Sequence, residues 1–148
     1  MQTVPFLREH LGVMDVRSYE REEVVPFLNS SMLTRMETSG WAYTLVKDGR
    51  LITCLGGVLL WPGVWEIWQI PSVYVHKYMK SYCQTIRGIL DKAVEVEGIW
   101  RYQTHSPADE LHDRWMEFIG FECEGTMKEY TRERKDFRVW ARRYTYGS

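Results

Sequence analysis

Cysteine is scarce in this sequence: Cys54, Cys83 and Cys123 are odd in number, far apart and never spaced as Cys-x-x-Cys. That pattern argues against a disulfide framework and a thiolate zinc site and fits a reducing compartment, so the expected location is cytoplasmic. Long apolar runs are missing too. No stretch approaches the roughly 20 apolar residues that span a bilayer, and the first ten residues have no basic segment followed by an apolar run, so neither a membrane nor secretion is expected. Charge of one sign is also absent, with 19 basic residues against 20 acidic and a net charge of −1. A chain so balanced carries no large field, and nucleic acid is not an expected partner. No repeat, low-complexity tract or linker interrupts the chain. Its 148 residues, 45% of them hydrophobic, therefore read as one domain over 1–148 with a single core, and the order of helices and strands along it makes that domain α+β.

Aromatics are plentiful, with seven Trp and nine Tyr, and packing accounts for most of them. Thr3 to Arg8 reads as an edge strand carrying Pro5, and Glu9 to Leu28 as one or two short helices, with Ser18 as an N-cap and Pro26 as a bend or stop. From Trp41 the period becomes that of strands. Trp41 to Lys47 and Leu51 to Leu60 flank Lys47-Asp48-Gly49-Arg50, whose Asp-Gly is a strong hairpin signal. After the turn at Trp61-Pro62-Gly63, Val64 to Val75 reads as a long strand interrupted at Pro71 and Ser72. Lys80 to Val96 has helical spacing with Gly98 as its stop, Ile99 to Thr104 is a short strand, and Ser106 to Phe118 a second helix ended by Gly120. Two closing strands, Glu122 to Thr131 and Phe137 to Arg142, complete the chain.

That order, together with Gly120-Phe121, Glu124-Gly125, Tyr130, Asp136 and Arg142, resembles the Gcn5-related N-acetyltransferase (GNAT) superfamily over about residues 41–142. A narrower stretch, Gly56-Gly57-Val58 through Leu60-Trp61-Pro62-Gly63 with Glu66-Ile67-Trp68, resembles the GNAT-like proteins of short-tailed phages, some of which are internal virion proteins. The resemblance implies a mostly antiparallel sheet splayed between its fourth and fifth strands. It further implies acyl-CoA-dependent acetyl transfer to an amine, with acetyl-CoA as cosubstrate and no metal. The phage resemblance implies an alternative, a catalytically degenerate protein acting through phage structural or host partners, with Trp61, Trp65 and the aromatic and basic closing hairpin as contacts.

Within the splay, Pro71 brings no N–H to the ladder, so the backbone of Ser72, Val73, Tyr74 and Val75 is the expected pantetheine contact. The family's Gln/Arg-x-x-Gly-x-Gly/Ala pyrophosphate loop corresponds to Lys80-Ser81-Tyr82-Cys83-Gln84-Thr85, which opens with a cation but fills both glycine positions. Amine attack needs a base. Glu66, flanked by Trp65 and Trp68, is the first candidate because an apolar wall raises a carboxyl pKa, and His76 is the second or else a phosphate contact. Met116 occupies the place of the family's tyrosine proton donor and cannot donate, leaving Tyr82, Cys83 and Tyr130 as substitutes. His105 and His112 lie beside acidic residues, but His105 precedes Ser-Pro and is expected to sit in a solvated cap rather than a metal site.

Overall fold

A computed structural model describes residues 1–144; the last four positions of the expected domain lie outside the described residues. Seven strands, β1 (Gln2–Pro5), β2 (Trp41–Lys47), β3 (Arg50–Trp61), β4 (Val64–Pro71), β5 (Arg101–Pro107), β6 (Glu122–Met127) and β7 (Phe137–Arg143), form one mixed sheet in the order β1-β2-β3-β4-β5-β7-β6. The helices are α1 (His10–Val13), α2 (Ser30–Thr38), α3 (Met79–Glu97) and α4 (Glu110–Ile119). β4 and β5 run parallel, and their paired residues are Val64 with Arg101, Trp65 with Tyr102 and Glu66 with Gln103. β4 continues to Pro71 and β5 to Pro107, where β5 pairs along its whole length with β7. The sheet is mostly antiparallel, as expected.

By internal contacts the chain divides into two compact units, Met1–Val58 with Ile67–Tyr82, and Leu59–Glu66 with the chain from Cys83 onward. The first unit packs Phe6, Leu11, Met14, Val16, Met36, Cys54 and Ile70 into a core, with Leu28, Leu33 and Trp68 against it. Gly56 is required there: a Cβ on it would lie 2.7 Å from the Trp41 carbonyl oxygen and 2.7 Å from the Trp68 ring. The hairpin is where Asp48-Gly49 places it, both residues adopting positive φ.

The early segment departs from expectation. The edge strand ends at Pro5, and in place of one or two ordinary helices there is the single turn α1, a π-helical turn Glu20–Val24 and a 3-10 turn Val25–Phe27. Arg17 explains part of this, since its guanidinium pairs with the buried Glu20 carboxylate and fixes the turn. Ser18 is not a cap. The chain instead caps α2, an element the sequence reading omits, with Asn29, whose side chain accepts the Met32 N–H at 2.9 Å.

In the second unit Leu90, Tyr102 and Trp140 are fully buried, and the Tyr102 hydroxyl donates to the Leu90 carbonyl at 2.9 Å. Burial is the first cause raising the Tyr102 pKa well above the usual tyrosine range. α4 begins at Glu110 rather than Ser106, and Asp109 caps it, its carboxylate accepting the His112 N–H at 2.8 Å. Gly120 closes the helix in the left-handed region at φ 100°, and Phe121 N–H returns to the Met116 carbonyl at 2.9 Å. Among the described residues no helix is long and apolar enough to cross a membrane.

Candidate functional site

Strand alternation puts Arg101, Gln103 and His105 on one face of β5, and Glu66 joins them from the last paired position of β4. Glu66 Oε2 accepts the Gln103 Nε2 hydrogen bond at 3.0 Å, and Oε1 lies 3.6 Å from His105 Nδ1. The second distance is that of a charge contact rather than a hydrogen bond. Gln103 is oriented from behind. Arg101 Nε, which can only donate, binds the Gln103 amide oxygen at 3.1 Å and so turns the amide's N–H groups to Glu66. Arg101 itself is clamped by the two carboxylate oxygens of Glu124, at 3.0 and 2.6 Å.

These partners determine the Glu66 titration. Its carboxyl is held below the usual glutamate range by His105 first, with desolvation opposing and the Gln103 hydrogen bond assisting. The expected elevation by an apolar wall is therefore corrected: the neighbours that decide it are polar groups of β5. Trp65 is buried at 5% exposure, and the Trp68 ring packs edge-on to Phe6 in the first unit, 5.1 Å between centroids.

His105 is the residue that sequence reasoning missed. Reading Ser-Pro as the start of a helix placed it in a cap, whereas β5 runs on to Pro107 and carries His105 on the face of Glu66. The signal was present in the alternation Arg101, Gln103, His105, had the strand been extended past Thr104. On its other side His105 Nε2 lies 3.4 Å from the Tyr130 hydroxyl, and its ring is held by Tyr130 and Phe137 with centroids at 5.4 and 5.8 Å. His112 is elsewhere occupied, 2.8 Å from the Asp109 carboxylate that caps α4. Among the described residues no group of three or more metal-ligating side chains is gathered.

The other sequence candidates lie in the turn after β4 and the start of α3. Ser72 bridges to Val16 and donates its N–H to Ile52. Val73 N–H goes to Asp15 O at 2.9 Å, Tyr74 N–H to Ser72 Oγ at 3.1 Å and Val75 N–H to Ser72 O at 3.3 Å. All four amides of the expected pantetheine segment thus have acceptors inside the first unit. Ser72 and Val75 are fully buried, so what that segment has to offer a ligand N–H is the carbonyl oxygens of exposed Val73 and half-buried Tyr74. His76 is exposed in the same turn.

Lys80, Ser81, Tyr82, Cys83, Gln84 and Thr85 form the first turns of α3 instead of a loop before it, and Tyr82 N–H already closes onto Tyr78 O at 2.8 Å. Tyr82 and Cys83 are buried at 1% and 2% exposure, and desolvation pushes the Cys83 thiol up to about 11, against the lowering pull of Arg87. Lys80 and Gln84 are exposed, and Ser81 and Thr85 half-buried. Of the closing hairpin, Phe137 and Trp140 are buried at 7% and 2%, so with Trp65 they are not available as partner contacts; Trp61 and Tyr130 are exposed, at 59% and 48%.

No protein-family model matches the chain, and no curated protein matches it in sequence. In structure it is similar to Ard1 from Thermoplasma volcanium, with a TM-score of 0.73, 11% identity and 97% of each chain covered. A mutant form of spermidine N-acetyltransferase SpeG from Vibrio cholerae gives a TM-score of 0.71 and 13% identity, over 97% of this chain and 95% of that one. A GNAT family acetyltransferase from Elizabethkingia anophelis with acetyl-CoA bound gives 0.65 and 11%, over 97% of each chain. At such identities the likeness establishes the fold, and the fold is that of the GNAT acetyltransferases.

Proposed function

We propose that this chain transfers an acetyl group from acetyl-CoA to an amine. The observation that carries the reading is the half-exposed carboxylate and imidazole pair, Glu66 and His105, standing where the paired part of the β4–β5 ladder ends. An amine must lose a proton before it attacks a thioester, and a fixed anion beside an imidazole is a means of taking it. The fold supports the cosubstrate, since a neighbour of the same architecture is described with acetyl-CoA bound.

For acetyl-CoA, the carbonyl oxygens of exposed Val73 and half-buried Tyr74, within the Ser72 to Val75 segment, are the ones offered to the pantetheine N–H groups. The N-terminal turn of α3, with Lys80 exposed beside it, suits the pyrophosphate through the helix dipole and one cation. Ser81, Gln84, Thr85 and His76 are the further phosphate contacts of this reading, while the buried Tyr82 and Cys83 shape the helix from within. The test is thermal denaturation with and without millimolar acetyl-CoA, followed by detection of free CoA thiol with a panel of amines. Ligand at 100 times its dissociation constant stabilises by about 2.7 kcal/mol. An unmoved melting temperature would reject acetyl-CoA as substrate.

A second reading keeps the fold without the chemistry, as a phage virion or host-interaction protein. The engaged amides of Ser72 to Val75 and the filled helix start favour it, and exposed Trp61 and Tyr130 are its remaining aromatic contacts. It predicts no response to acetyl-CoA and association with a phage structural or host protein.

A further inference from the structure

We propose that His105, not Glu66, is the group that takes the proton of the acceptor amine, on Nε2, and that Glu66 is its positioning carboxylate. The inference rests on the acetyl-transfer reading and deepens it. Arg101 fixes the Gln103 amide, Gln103 occupies Glu66 Oε2, and Glu66 Oε1 is left facing His105 Nδ1. The carboxylate charge 3.6 Å from Nδ1 favours the ring proton on that nitrogen by attraction, which leaves the lone pair on Nε2, 3.4 Å from the Tyr130 hydroxyl. The ring packs against Tyr130 and Phe137, yet its side chain is 40% exposed, so an amine that displaces the long Tyr130 hydroxyl contact at 3.4 Å meets Nε2. A carboxylate that is already held ionised by two partners is a poor proton acceptor, which agrees with the lowered Glu66 titration.

The step balances without any further reagent. The acceptor arrives as an ammonium and gives one proton to His105 Nε2, making an imidazolium that the Glu66 carboxylate stabilises from the opposite edge. The amine nitrogen forms its bond to the thioester carbonyl carbon, the carbon–sulfur bond breaks, and the sulfur leaves as CoA thiol with the second proton of the nitrogen. His105 then returns its proton to solvent. The groups facing the ring are Glu66 from β4, Arg101 through Gln103 on β5, and Tyr130 and Phe137 from the closing hairpin.

The experiment compares the wild-type chain with His105→Ala and Glu66→Gln, using CoA release and acetyl-CoA affinity measured separately. His105→Ala should lower kcat by about 100-fold or more with acetyl-CoA affinity unchanged, and imidazole added to the solution should restore part of the loss. Glu66→Gln should retain more activity than His105→Ala and weaken the preference of the neutral ring's proton for Nδ1 in the 15N spectrum, because the carboxylate charge facing that nitrogen is gone. The 15N spectrum of the neutral His105 ring should show its proton on Nδ1. Turnover of His105→Ala within about threefold of wild type overturns the assignment while acetyl transfer stands, as does a ring protonated on Nε2. A wild-type chain that binds acetyl-CoA but acetylates none of the amines removes the acetyl-transfer reading, and the assignment falls with it.

Discussion

Glu66 shows how far a residue's neighbours outweigh its place in the sequence. Two flanking tryptophans suggested a desolvated acid, yet one-third exposure and two polar partners on β5 make it a stabilised anion. Because its pKa in the folded chain is lowered from the ordinary 4.5, its ionised form stabilises the fold above that value, and the contribution is lost as the pH falls through 4.5 and below. Glu66→Gln should therefore cost about 0.2–1 kcal/mol at neutral pH, the range of a solvent-screened pair. The difference in melting temperature from wild type should shrink as acid is added; a gap that stays constant to pH 3 would show that the charge is not its source. Gly56 gives a larger effect. Gly56→Ala sets a methyl against a backbone oxygen and an indole ring at 2.7 Å, and the carbonyl cannot turn away without disturbing β2. A loss of about 1–3 kcal/mol in urea denaturation is expected.

At the scale of elements, helix ends are governed by single side chains. Asn29→Ala should destabilise the chain by about 1 kcal/mol and Asn29→Asp by much less, because the aspartate still accepts the Met32 N–H. Equal losses from the two would show that the cap is not what the side chain supplies. The same local chemistry explains what could be read from sequence. Asp48-Gly49 fixed the hairpin, the helical spacing of Ile86, Ile89, Leu90 and Ala93 marked α3 to within a residue or two, and Gly120-Phe121 marked the end of α4, because each rests on contacts a few residues apart. Legibility failed where a distant partner decides. α2 carries one buried residue, Met36, so its apolar pattern is too thin to announce a helix. β5 passes through His105-Ser106-Pro107 because β7 pairs with all three, a fact that no local signal before Pro107 conveys. The candidate site suffered most from this: Glu66 was visible as a charge on a strand, but its partners come from another strand whose end was misplaced by three residues, Thr104 against Pro107.

For the whole molecule, 19 basic and 20 acidic residues leave almost no net field, so a polyanionic cosubstrate is not drawn in by overall charge. Any salt dependence of acetyl-CoA binding must come from cations at its phosphates, and Lys80, exposed in the first turn of α3, is the one this reading names. An exposed pair is worth about 0.2–1 kcal/mol, so Lys80→Ala should weaken acetyl-CoA by no more than about fivefold at low salt. Raising the salt to 1 M, where screening acts over about 3 Å, should bring wild type and variant close together. Calorimetric titration at the two salt concentrations measures both effects. A Lys80→Ala deficit that persists at high salt would mean that the side chain packs rather than pairs, and an affinity that Lys80→Ala leaves unchanged at low salt would move the phosphates away from the start of α3.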